Sequence, residues 1–192
     1  KTHSSLPDSL KNYNFLMTIP FIAVISNFNF RMLWFAQIIS QISLNTLSFV
    51  LAIEVYRVTG SNTAVSLMLL TFGLPAIIFG VVFGGIVDDF DKRSILLFCN
   101  ITRAIFLLIY YFFSVYLLMI YFLSVLISIV SQLFIPAEAS SIPALVKKED
   151  LLSANALFTV TFYLSTVLGS VSAGPLLRYT GGQNIFIVLS FL

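Results

Sequence analysis

Between Ser94 and Ala137 the chain runs 44 residues with a single charge, Arg103. At about 1.5 Å rise per residue one continuous helix over that stretch would be roughly 66 Å long, about twice the hydrocarbon thickness of a bilayer, so the segment must fold back once. The fold-back is expected near Ser114 to Tyr116. Three more uncharged runs are each long enough to cross: Met32 to Ile53 (22 residues), Val58 to Val87 (30) and Leu151 to Leu177 (27). The uncharged tail, Tyr179 to Leu192, is too short to cross. The chain starts at Lys1 and stops inside an apolar run, and it is read as a fragment cut inside a helix.

Strands are excluded, because the runs lack the ten-residue alternation of a membrane barrel. The fold class is therefore all-α, a polytopic membrane helical bundle with spans at about 32–55, 64–87, 94–114, 116–136 and 151–177, and a truncated sixth at 183–192. Composition agrees, with 59% hydrophobic and 9% charged residues and a mean hydropathy of +1.02. That leaves too little polar surface to cover a water-facing domain.

Composition also removes several function classes. Net charge is only +2 and the basic residues are scattered, so no nucleic acid is expected as a partner. One cysteine, Cys99, and one histidine, His3, cannot make a disulfide or a metal cluster, and no cofactor is expected. The phosphate-binding pattern G-x-x-x-x-G-K-[ST] does not occur, against the membrane part of an ATP-driven exporter. The spans carry neither paired carboxylates nor a His cluster, against a membrane enzyme.

Charge asymmetry orients the bundle. Residues 12–30 are uncharged but carry Asn12, Asn14, Pro20, Asn27 and Asn29. If this segment lies on the surface, Lys1, Lys11, Arg31, Lys92, Arg93, Lys147 and Lys148 share one side, with Arg57 and Arg178 on the other. If it crosses, the split is five against four and the positive-inside pattern is lost. Residues 1–31 are accordingly expected to form a cytoplasmic arm, with Phe15 to Ile25 as an interfacial segment, ahead of the transmembrane part, 32–192.

Gly80, Gly84 and Asp88 recur every four residues, so two small surfaces and a carboxylate share one helix face. Taken alone this is a packing seam followed by a charged loop. The order Gly84-x-x-x-Asp88, then Asp91-Lys92-Arg93, resembles the loop signature G-x-x-x-D-R-x-G-R-R of the major facilitator superfamily. Pro136 to Val146, Glu149 to Leu151 and Ser153 to Leu157 resemble the loop between the fourth and fifth helices of its drug and siderophore exporter branch, which includes macrolide-efflux proteins and enterobactin exporters. Asn29 to Trp34 and Val55 to Ser61 are similar to the same branch. Leu168 to Gly174 resembles the antiporter motif G-P-x-x-G-G, with Ser170 for Pro and Ala173 for Gly. Asp89 stands where the superfamily loop has Arg, and Glu138 where the branch has a base, so charge pairs at those positions are expected to be absent or reversed. These two departures also keep open a degenerate, non-transporting copy.

The resemblance implies the N-terminal six-helix half of a proton-coupled exporter of small amphipathic or hydrophobic compounds, acting by alternating access with a missing C-terminal half. It implies that Asp88 latches the cytoplasmic end of the second helix against a helix N-terminus in the other half. Asp91 is expected to cap the third helix, and Lys92 and Arg93 to contact lipid phosphates or neighbouring carboxylates. Gln37, Gln41, Asn45 and Ser48 form a polar stripe on the first span, which is either the wall of a substrate path, as the family implies, or interhelical hydrogen-bonding glue. Arg103, the charge inside a span, either reaches the cavity or is a structural or snorkelling arginine. Glu54 is read as a solvated rim residue, with a proton or substrate carboxylate as the other reading. Gly80, Gly84, Gly169 and Gly174 are expected to be close-packing surfaces within this half.

Overall fold

The structure, a computed structural model, describes residues 21–192. Residues 21–26 are helical, and six helices follow. They are α1 (Phe28–Thr59), α2 (Asn62–Asp88), α3 (Lys92–Phe113), α4 (Leu117–Leu145), α5 (Leu151–Thr180) and the seven-residue α6 (Asn184–Ser190), with a 3-10 turn at Lys148–Asp150. There is no strand among the described residues. Five segments, each holding one of α1 to α5, are long and apolar enough to cross a membrane. The long uncharged stretch breaks where its length requires, at Ser114–Tyr116.

Local chemistry sets the ends. Asn27 Oδ1 accepts from the backbone N–H groups of Asn29 and Phe30, so α1 starts at Phe28, four residues before the expected span. Residues 28–31 are therefore helical and continuous with the first long helix. Val24 packs with Phe30, Ile142, Ala154 and Phe158, which places the end of the expected interfacial segment on the bundle. Residues 15–20 of that segment, and residues 1–14 of the arm, lie outside the described residues. At the other end of α1, Gly60 takes the left-handed conformation (φ 61°) that closes a helix without a Cβ penalty, and its N–H returns to the Tyr56 carbonyl at 2.8 Å.

α4 runs nine residues beyond its expected end at 136, through Pro136 and Pro143. A proline inside a helix costs about 3 kcal/mol or more in isolation. Here Phe134, Ala137, Glu138 and Ile142 are all buried against neighbouring helices, and Asn27 Nδ2 donates to the Leu145 carbonyl at 2.6 Å. The stretch that resembles a loop is thus mostly helix, and the connection to α5 shrinks to residues 146–150.

α1 packs chiefly on α5, α2 on α4, and α3 on α4 and α6. The main core joins Leu47, Val50 and Leu51 of α1 to Met68, Tyr110, Ile120 and Phe186. Tyr110 donates to the Ile120 carbonyl at 2.9 Å and stacks on Phe186 at 5.3 Å, so its hydroxyl is satisfied inside an apolar seam. Outside, Ile77, Val81, Leu118 and Val171 are each more than two-thirds exposed. Apolar surface of this kind suits lipid or another helix and not water.

Two hydrogen bonds fix which ends coincide. Asn27 to Leu145 ties the start of α1 to the end of α4, and Tyr121 Oη to the Ala64 carbonyl, 3.0 Å, ties the start of α4 to the start of α2. One end of the bundle therefore gathers Arg31, Lys92, Arg93, Lys147 and Lys148, while the other carries Arg57 and Arg178.

Candidate functional site: the α2–α3 turn and a groove beside α4 and α5

The turn after α2 is built from its own residues. Asp91 Oδ2 accepts from the Ser94 backbone N–H at 2.8 Å and the Ser94 hydroxyl at 2.7 Å, capping α3. These two bonds hold the Asp91 carboxyl below its ordinary 3.8, so it stays a charged acceptor at neutral pH. Lys92 differs from the sequence expectation. Its Nζ donates to the carbonyls of Val87, Asp88 and Phe90 at 3.1, 2.8 and 3.1 Å, so the ammonium closes the C-terminus of α2, where a cation is favoured. Its partners among the described residues are backbone carbonyls, and no carboxylate is bonded to it. Arg93 is exposed. Asp88 and Asp89 are exposed, and among the described residues their carboxylates have no hydrogen-bond or ion-pair partner.

The glycines of the expected packing faces divide. At Gly169 an added Cβ would lie 2.7 Å from Asn45 Cβ and 2.8 Å from the Ile42 carbonyl oxygen, so α5 touches the α1 backbone there. At Gly80 a Cβ would make an ordinary 3.6 Å contact with Gln132 Oε1. At Gly84 and Gly174 it would meet nothing within 4 Å, so neither is a close-packing position among the described residues.

Two residues of the α1 polar stripe, Gln37 and Asn45, meet α5. Gln37 is buried, donates from Nε2 to the Phe158 carbonyl at 3.4 Å and accepts at Oε1 from the Thr161 hydroxyl at 3.2 Å, while Trp34 Nε1 donates to the same hydroxyl at 3.1 Å. Gln41 is buried, and Asn45 Nδ2 bonds back to the Gln41 carbonyl at 2.8 Å. Thr46, absent from the stripe as read from sequence, donates to the Gly169 carbonyl at 3.1 Å. The hydroxyls and amides of this seam thus join α1 to α5, and of the stripe Gln37 also lines an open groove. Ser48 is half-buried.

That groove, about 310 Å³, lies against α1, α4 and α5 and is lined by Gln37, Glu138, Asn155, Phe158, Thr159 and Tyr163 among others. Glu138 is 8% exposed, and its Oε1 is fully covered with no hydrogen-bond partner. Sequence reasoning marked Glu138 only as a departure from a loop pattern. The clue available was a lone carboxylate at the end of an apolar run, where burial is costly unless it is used.

Arg103 is brought to a different cavity, about 290 Å³, between α1, α3 and α6. It is 5% exposed, donates from Nη1 to Ser40 Oγ at 3.2 Å and lies over the Phe134 ring at 4.4 Å, leaving Nε without a partner. These contacts hold the guanidinium inside the bundle. Glu54 is likewise not a solvated rim residue. It is 6% exposed, bonded to the exposed Arg57 at 2.8 Å, with Oε1 unpartnered.

The Major Facilitator Superfamily pattern matches residues 33–192. The chain is similar to two proteins of Bacillus subtilis (strain 168). It is 27% identical over 172 residues to the uncharacterized MFS-type transporter YkuC, covering 88% of this chain and 40% of that protein. It is 26% identical over 139 residues to the uncharacterized MFS-type transporter YfiS, covering 72% of this chain and 33% of that protein. No solved structure matches. The chain thus spans well under half the length of these relatives. A bundle of apolar helices joined by a capped acidic-basic turn, matched to the family over nearly all its described length, has one reading: the chain belongs to the major facilitator superfamily.

Proposed function

We propose that the chain is the N-terminal six-helix half of a secondary active transporter that exports a small amphipathic or hydrophobic compound by alternating access, driven by protons. The groove beside α4 and α5 is its share of the substrate path, and its working partner is a second set of six helices. The observation that carries this reading is the groove itself: an open, aromatic-walled cavity with one buried, unpartnered carboxylate, inside a bundle of the superfamily. Buried charge without a partner is costly and is retained where something must bind or pass. Transporter folds of this kind place their sites between the two halves near the midplane. Resemblance to the exporter branch supports the direction and the class of compound. Enzyme chemistry has no place in this reading.

The end of the bundle that gathers five basic residues is taken as cytoplasmic, in the cell membrane, by the positive-inside rule. Single cysteines in a Cys99→Ala background test this. Asp91→Cys and Lys148→Cys should react with a membrane-impermeant maleimide only from the cytoplasm, and Asn62→Cys and Gln183→Cys only from outside. Both sites avoid Gly60 and Gly181, which sit at φ 61° and 74°, where a cysteine would strain the turn. External reaction at Asp91→Cys would invert the orientation.

A further inference from the structure

Resting on the transport reading, we propose that Glu138 is the anchor for an organic cation, so that the groove takes amphipathic amines in preference to neutral or anionic compounds of the same shape. Of the side chains lining the groove, Glu138 alone carries a formal charge. It lies in the α4 helix, at a fixed position, and not on a loop. A carboxylate accepts hydrogen bonds and donates none, and Glu138 accepts none from any described residue. An ammonium is the complementary ligand, with its N–H groups directed at the carboxylate.

The rest of the lining fits the body of such a molecule. Phe158 and Tyr163 of α5 offer ring surface, which takes both hydrocarbon and the spread charge of a cation. Gln37, Asn155 and Thr159 supply amide and hydroxyl groups that can complete the hydrogen bonds of an ammonium.

Arg103, a basic group on the neighbouring α3, does not take the position of the ligand. Its guanidinium is engaged by Phe134 at 4.4 Å and by Ser40 at 3.2 Å, and it lines the other cavity. Among the described residues the ion pairs within 4 Å are Glu54 with Arg57 and Glu149 with Lys147, so Glu138 and Arg103 are not joined. Neither an ion pair within 4 Å nor a hydrogen bond joins them among the described residues, and the carboxylate is left to a ligand.

The test uses the intact transporter in detergent and a matched pair of probes, monodansylcadaverine and its N-acetyl derivative, which differ at the terminal nitrogen by one charge. Fluorescence titration should show the amine binding at least tenfold more tightly than the acetylated form. Glu138→Gln should remove that preference, and Glu138→Asp should keep part of it. Should the variants fail to fold, the wild-type protein still decides. Dicyclohexylcarbodiimide, which adds to carboxyl groups in apolar surroundings, should label Glu138 by mass spectrometry, and the amine but not its acetyl derivative should slow the labelling. Equal affinity for both probes, no binding of either, a preference that survives Glu138→Gln, or labelling unaffected by the amine would overturn the assignment. Amine-selective binding at Glu138 without transport of any compound in liposomes would uphold the site while defeating the transport reading.

Discussion

Gly169→Val is expected to leave little or no correctly assembled protein. At this point α5 lies against the backbone of α1, and even a methyl group would sit 2.7 Å from Asn45 Cβ and 2.8 Å from the Ile42 carbonyl. The atoms in the way are backbone and a Cβ, which cannot rotate aside, so the two helices must separate. Separation also breaks the Thr46 hydroxyl bonds to the Gly169 carbonyl and to Ser172, at 3.1 and 3.0 Å. Overpacking alone typically costs about 1 to 3 kcal/mol. The lost seam adds to that, against a total stability that is small for any protein. Alanine gives the sharper contrast. In a helix it is better than glycine by about 0.8 to 1 kcal/mol, so Gly174→Ala, with open space around it, should be neutral or stabilising, while Gly169→Ala should lower stability. Thermal midpoints and monodispersity by size exclusion measure both. Gly169→Ala as stable as Gly174→Ala would mean that α1 and α5 do not meet as described.

Asp88→Asn is expected to preserve insertion and abundance while cutting transport by the intact protein severely. The carboxylate is exposed, and nothing among the described residues would be unpaired or unpacked by losing its charge. Its proposed partner is a helix N-terminus in the other half. An anion there is worth about 0.3 kcal/mol when exposed and up to about 2 kcal/mol when partly buried. At about 1.4 kcal/mol per tenfold, that biases one access state by roughly 2- to 30-fold, so the effect should appear in turnover and not in folding. Full transport by Asp88→Asn at equal abundance would end the latch proposal.

How far the sequence could carry the fold depends on how local each determinant is. The turn at Ser114–Tyr116 was legible because 44 nearly uncharged residues cannot cross a bilayer once as a single helix. The Asp91 cap was legible because its acceptor and the Ser94 N–H are three residues apart. Lys92 was not, since its partners are carbonyls that every residue carries, and only the path of the turn brings three of them to one ammonium. The continuation of α4 past Pro136 was hidden for a related reason. Two prolines and a glutamate read as a loop, and what keeps the segment helical is burial against residues distant in sequence, such as Val24 and Phe158. The α1 stripe reads as one face because spacings of three and four are helical. Which neighbour that face meets is tertiary information, and the answer, α5, separates Gln37 from Arg103. Gly84 and Gly174 show the limit most plainly: a small residue permits close approach, but its neighbours decide whether anything approaches.

The central claim is that this bundle is part of a machine that moves a solute uphill. The measurement closest to it is solute movement in liposomes containing the intact protein, with a pH gradient imposed and a panel of fluorescent amphipathic compounds inside or outside. At least one compound should accumulate beyond its equilibrium distribution while the gradient lasts, collapse when the gradient is dissipated, and fail to accumulate with Asp88→Asn. Movement of every compound only to equilibrium, unchanged by the gradient and by the substitution, would contradict it.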